Sequence, residues 1–344
     1  MRIELSARQR EILTRVVEEY VATGQPVGSR NLVERSGMPV SASTVRSELA
    51  ELEERGLLTH PHTSAGRIPT ERGYRFYAEG LLEDLEPRPG AFPLDLTAAR
   101  SEVESAMQAT TNMLSEVTRL LALVSAPPLE TTTVRHVEVL SLQPQVVMVV
   151  VITSTGGVSK RIVAFDERVD LGLAGWAGEY LNERVAGLQL GTHLLRQRFE
   201  DPGLSVRERG FLAALRPAFT DLVTLDDQRV YVGGAAGLLG EARADEREAC
   251  GQLLGMLEQR AGLLKLIGAA LEPRRPFVRV GDDLDNPALR HVSVVAATYG
   301  LANRTLGAVS LLGPVRMDYD KAIRSVQAAA FELSRFVEEV YDPN

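Results

Sequence analysis

Cysteine is nearly missing from this chain of 344 residues: Cys250 is the only one. No internal disulfide can form, and a reducing cytoplasm is the expected compartment. Long apolar runs are missing too. The longest stretch of large apolar side chains, residues 146–152, falls far short of the roughly 20 needed to cross a bilayer. The opening MRIELSARQR has no apolar signal core, so no membrane association is expected. A net basic charge is also absent; the formal balance of −8 argues mildly against a nucleic-acid partner. Catalytic signatures are equally scarce. The Gly-rich run GGAAGLLG (233–240) lacks the Lys-Ser/Thr that follows a phosphate loop and does not fit G-x-G-x-x-G; it reads as a break between a strand and a helix. Asp282, Asp283 and Asp285 in GDDLDN lack the spacing and closing acid of a calcium loop. His60 and His62 have no second cluster or nearby cysteine to make a metal site. Cys250 sits in a Leu-rich stretch without an evident base and reads as buried packing. No nucleophile–base pairing stands out, so the chain is not expected to be an enzyme, and no cofactor or metal is expected.

The charge is unevenly spread. Residues 1–80 balance 11 arginines against 11 acids, and residues 81–344 carry the whole deficit, 27 basic against 35 acidic. Between positions 55 and 75, Arg55, Arg67, Arg72 and Arg75 oppose only Glu71. A local anion-binding face is therefore compatible with the acidic total. Within this opening block, residues 6–22 carry apolar side chains at helical period, with Ser6 as cap. A short helix over 29–36 stops at Gly37, and a third over 42–55, capped by Ser41, ends at Gly56. That is the helix-turn-helix plan. On the third helix Val45, Leu49 and Leu52 form the inward stripe, while Ser43, Ser47 and Ala50 lie opposite with Arg46 on the flank. Small side chains beside one long donor suit a groove-entering helix. A solvated face on a structural helix is the plainer reading, and the basic hairpin next in the chain weighs against it. Residues 57–60 read as a short strand returning through Ile68 around the tip HTSAGR. This hairpin is a wing, with Gly66 permitting the turn and Arg67 placed to enter a minor groove or clamp a phosphate. Thr70 is placed to cap a last helix carrying Tyr74, Tyr77, Leu81 and Leu85.

Residues 86–96, EPRPGAFPLDL, read as a Pro/Gly linker. Helices over 97–124 and 318–340 carry narrow apolar seams, expected to pack on one another within one domain. Strands are expected at 133–141, 146–153, 158–165, 277–280, 291–299 and 305–312, with STGG (154–157) as a hairpin turn. Three strands, a gap, three strands and a terminal helix suggest one α+β domain interrupted by a mostly helical insertion, loosely 185–272, with helices at 205–224 and 247–271.

Taken together, QPVGSR (25–30), SASTVRSELAELE (41–53), HTSAGRIPTERGYRFY (62–77) and GPVRMDY (313–319) resemble signatures of the heat-inducible transcription repressor family HrcA. The resemblance implies an α+β multidomain protein: a winged helix-turn-helix (1–85), a linker (86–96), a GAF-like domain (97–184 and 273–344) and an inserted dimerisation domain (185–272). It implies a homodimer on double-stranded DNA, at an inverted-repeat operator upstream of chaperone genes, with a chaperonin maintaining the active form. Ser29, Arg30, Ser41, Ser43, Thr44, Arg46, Ser47, His62, Thr63, Ser64, Gly66 and Arg67 are the candidate DNA-binding residues. Ser43, Arg46 and Ser47 are expected at base edges, His62 and Arg67 in the wing, and Ser29 and Arg30 at the phosphate backbone. Ser47 stands where the family commonly has asparagine, and a hydroxyl discriminates less than an amide. A regulator whose GAF-like domain is gated by a small effector is the alternative reading. Thermal control is expected through a marginally stable scaffold, since many of the 29 glycines lie outside obvious turns.

Overall fold

The computed structural model describes residues 4–36, 40–62, 66–99, 102–128, 132–220, 229–241, 246–258, 275–284, 286 and 289–341. The amino-terminal head contains α1 (Ala7–Thr23), α2 (Ser29–Ser36), α3 (Ala42–Glu54), β1 (Leu58–Thr59), β2 (Ile68–Pro69) and α4 (Glu71–Glu83). Ser6 and Gln9 form a reciprocal capping box at the start of α1, and Gly24 ends it in the left-handed region at φ 67°. Ile12, Leu13, Val16 and Val17 of α1 meet Leu32, Val45, Leu49, Leu52, Leu57 and Leu58 in one buried cluster.

The body is built on an antiparallel five-stranded sheet in the order β7-β3-β10-β9-β8. Its strands are β3 (Leu121–Ser125), β7 (Val230–Gly233), β8 (Phe277–Val280), β9 (Val292–Leu301) and β10 (Arg304–Pro314). One face packs under α5 (Val103–Thr118) and the carboxy-terminal helix, Tyr319–Tyr341. The other packs under α9 (Ala235–Glu241) and α10 (Arg247–Glu258) through Leu238, Ala249, Cys250 and Leu253. Because both faces are covered, β9 and β10 are buried almost end to end. The carboxy-terminal helix is α11.

Two expectations need correction. The helix expected over 97–124 is a 3-10 turn at Thr97–Ala99, then α5, then β3. Arg119 adopts φ 59° and donates its N–H to the Ser115 carbonyl, which closes α5. Leu121 and Val124, at the end of the helix expected over 97–124, instead lie in a strand whose first four residues are all buried. A short apolar run fits a fully buried strand as well as a helix, and its pairing with β10 and β7 decides the outcome.

The strands expected at 133–141, 146–153 and 158–165, grouped with the later three in one interrupted domain, do not join their sheet. β4 (Val134–Gln143), β5 (Val146–Thr153) and β6 (Val158–Ala164) form a separate meander in the order β4-β5-β6. It packs with α6 (Leu171–Val185), α7 (His193–Phe199) and α8 (Val206–Leu215) around a second core. Val147, Val149 and Val151 point into that core, where Phe199 and Phe219 lie 5.2 Å apart. The unit leaves and re-enters the body at paired residues, Ser125 opposite Val230, with Ala126 N–H donating to the Arg229 carbonyl at 2.8 Å. The helix expected over 205–224 is α8 up to Leu215, a turn at Arg216 and helix again over 217–220, with 221–224 outside the described residues. Of the stretch 247–271, the described part is α10, and Gly37, Asp285, Thr63 and Ser64 lie outside the described residues.

Candidate nucleic-acid interface

Ser41 opens α3 with extended backbone and accepts the Thr44 N–H at 3.2 Å. The hydroxyls of Ser43 and Thr44 lie 2.7 and 2.9 Å from its own. Three hydroxyls therefore gather at a helix start, where unpaired backbone N–H groups favour an anion. Behind them Val45, Leu49 and Leu52 are buried against the head core, and Ser43, Arg46, Ser47 and Ala50 face outward. The exposed strip is thus small and hydroxylated, with one long guanidinium. Ser29 begins α2 half-buried and Arg30 stands exposed beside it.

The hairpin after α3 is short, pairing Leu58 with Pro69 and Thr59 with Ile68. Its returning arm gains a further partner: Val27 and Arg67 exchange backbone hydrogen bonds at 2.8 and 2.9 Å. Gly66 is what allows this approach, since a Cβ there would come 2.5 Å from the Val27 carbonyl carbon. The motifs QPVG and GRIP are therefore two sides of one contact. Gly73 is equally constrained, because its Cβ would run into the Leu57 carbonyl, just before β1.

Arg67 is not the free wing arginine that the spacing suggests. Its guanidinium lies 2.7 Å from Glu53 at the end of α3, and the His60 ring meets the same carboxylate. Glu53 thus ties both arms of the hairpin to the helix, a role that sequence reading missed; the only hint was an acid at the helix end preceding a basic hairpin. His62 is exposed near the tip. Ser41, Ser43, Thr44, Arg46 and Ser47 share α3, while His62, Gly66 and Arg67 share the hairpin and Ser29 and Arg30 share α2. Among the described residues no group of three or more His, Cys, Asp or Glu could hold a metal. Nor is any described helix long and apolar enough to cross a membrane.

A polar strip of this kind on a capped helix is suited to anionic polymers, and relatives decide which class of protein carries it. The HrcA protein C terminal domain family matches residues 104–323. The chain is 35% identical over 345 residues to the heat-inducible transcription repressor HrcA of Parafrankia sp. (strain EAN1pec), covering 95% of this chain and 97% of that one. This chain belongs to the HrcA family. The HrcA repressor of Acidothermus cellulolyticus is 34% identical over 338 residues, covering 97% and 99% of the two chains. That of Nocardioides sp. is 36% identical over 340 residues, covering 96% and 98%. A crystal structure of a hypothetical protein superposes at TM-score 0.68 and 24% identity, across 98% of this chain and 100% of its own; it shares the fold. HrcA proteins are heat-inducible transcription repressors and not enzymes.

Proposed function

We propose that this repressor acts in the cytoplasm as a homodimer whose two heads are winged helices reading an inverted-repeat operator upstream of chaperone genes. The observation that carries the reading is the outward strip of α3, where Ser43, Arg46 and Ser47 stand exposed on a helix held from behind by Val45, Leu49 and Leu52. In this reading Arg46 and the hydroxyls meet base edges in the major groove. Ser41 and Thr44 hold the helix start, Ser29 and Arg30 meet phosphates, and His62 and Gly66 belong to the wing; Thr63 and Ser64, outside the described residues, are proposed to contact the same DNA. Arg67 acts through Glu53 rather than by reaching the duplex alone.

The dimerising unit, expected at 185–272, is assigned instead to the three-stranded meander with α6–α8, and the five-stranded body takes the GAF-like role expected of 97–184 and 273–344. Support comes from the meander's outer face. Leu140, Met148 and Ile162 lie side by side across it, as do Ile152 and Val158, and Leu140, Val158 and Ile162 are 41%, 67% and 63% exposed. Between these two apolar rows lies one that carries Glu138 and Lys160 on either side of Val150. Exposed apolar rows flanking such a charged row fit a second copy related by two-fold symmetry, Glu138 of one facing Lys160 of the other. Heat inactivates the repressor by loosening a marginally stable scaffold, and a chaperonin restores it.

Footprinting of the purified chain on its own genome's chaperone promoters, with and without chaperonin, tests the reading. Protection of a palindrome is expected, and no preference over scrambled duplex overturns it. Arg46→Ala should cost on the order of 1–3 kcal/mol per half-site, whereas Arg30→Ala should lower the salt slope by roughly one unit for each phosphate the guanidinium neutralises.

A further inference from the structure

Three sequence signatures remain without a role at the DNA: GYR in α4, GPVRMDY after β10, and the GDDL turn after β8. The structure brings them together where the head meets the body. Tyr319, at the start of α11, is buried between the two tyrosines of α4, with ring centroids 5.9 Å from Tyr74 and 6.5 Å from Tyr77. Its hydroxyl lies 2.7 Å from that of Ser293 and donates to the Val315 carbonyl at 2.7 Å, so the ring is fixed from the body side.

Arg316 makes a second anchor. Its guanidinium lies 2.6 Å from Glu246, with side-chain exposures of 14% and 8%, and its Nη1 donates to the Val21 carbonyl at 2.9 Å. Val21 is in the last turn of α1, which has no basic residue of its own there. Arg316 therefore supplies, from 295 positions away, the positive charge that a helix end attracts. The third anchor is Arg75 of α4, which lies 2.6 Å from Asp283 and donates to the Val280 carbonyl at 3.4 Å. Even the segment between head and body is laid down: Phe92, Leu94 and Leu96 pack against the shared core, and Gln327 of α11 donates to the Glu86 carbonyl at 2.6 Å.

None of these contacts uses the exposed strip of α3. The head is gripped by α4 and the end of α1, and its reading face is left outward. We propose that Arg316, Tyr319 and Asp283 are positioning residues that fix the angle of the head on the body, and so set the half-site spacing the dimer accepts. The inference rests on the dimeric, two-headed reading above. A head on a loose tether would tolerate many spacings, because a flexible linker costs little more as it lengthens. A head held at three points tolerates few.

Head and body share one buried core across the joint, yet two polar groups there are poorly accommodated. The Tyr74 hydroxyl is buried without a hydrogen-bond partner among the described residues. Glu18, on the joint side of α1, has its carboxyl pushed above the ordinary value by burial; Arg15 opposes the rise and Asp320 and Asp318 add to it.

The test uses the full-length chain and three duplexes: a palindrome recovered by in vitro selection with that chain, the same palindrome with two base pairs inserted at its dyad, and one isolated half-site. The unaltered chain should bind the lengthened palindrome at least tenfold more weakly than the selected one. Arg316→Ala and Asp283→Asn, which break separate anchors and leave the head's own sequence intact, should narrow that gap to about threefold or less. Their affinity for the isolated half-site should stay within about twofold. A full tenfold gap retained in both variants overturns the proposal. So does a tenfold loss on the half-site, which would mean that these residues hold the head's fold and not its direction. If the unaltered chain binds all three duplexes alike, the two-headed reading itself has failed, a result distinct from failure at the joint.

Discussion

Glu53 is the residue on which the geometry of the hairpin turns. It receives Arg67 at 2.7 Å and also meets His60, and both partners are solvent-accessible enough that the pairs stabilise by only about 0–1 kcal/mol. Its contribution is to place, not to hold. Glu53→Gln should therefore shift the urea midpoint of the chain little while weakening binding to palindromic DNA several-fold. Loss of stability without loss of affinity would contradict that division. The residue scale was only partly legible in the sequence. The outward serines and Arg46 could be read from a wheel because α3 is a regular helix with a buried stripe. The engagement of Arg67 could not, because an arginine at a hairpin says nothing of whether a carboxylate reaches it first.

Local signals decide elements, and elements governed by them were read well. Ser6, Ser41 and Thr70 each cap the helix that follows, and STGG joins β5 to β6. Where non-local pairing decides, the reading failed: β3 is a strand because β10, about 180 positions later, lies beside it. The same pairing separates the meander from the body sheet, which no periodicity reveals. Glycine within helices bears on thermal control. Gly175 in α6 and Gly251 in α10 both have open space where a Cβ would stand, so each helix gives up stability without a steric reason. Gly175→Ala and Gly251→Ala should each add about 0.4–1 kcal/mol, chiefly by restricting the unfolded chain. Operator release, followed by gel shift during heating, should move to higher temperature in the double variant. An unchanged release temperature despite a raised Tm would mean that heat acts elsewhere.

For the whole molecule the decisive surfaces are the joint and the outer face of the meander. An acid placed in the apolar row Leu140–Met148–Ile162 would lose its water in a two-fold association through that face, a costly arrangement. Ile162→Asp should leave the chain folded, since Ile162 is exposed in a single copy, and should shift it to monomer by light scattering. Affinity for the palindrome should fall toward that for one half-site. A dimer that persists with unaltered affinity would remove the meander from the association. Family membership was legible because its motifs are short and contiguous. The joint they form was not, since Arg316 and Val21 meet across nearly the full length of the chain.

The clasp between Ser125 and Val230 has an evolutionary corollary. A hundred-residue excursion that starts and finishes on neighbouring rungs can be shortened, exchanged or deleted, leaving a plain hairpin behind. Whatever this excursion carries is thereby free to diversify while the head and the body sheet stay as they are.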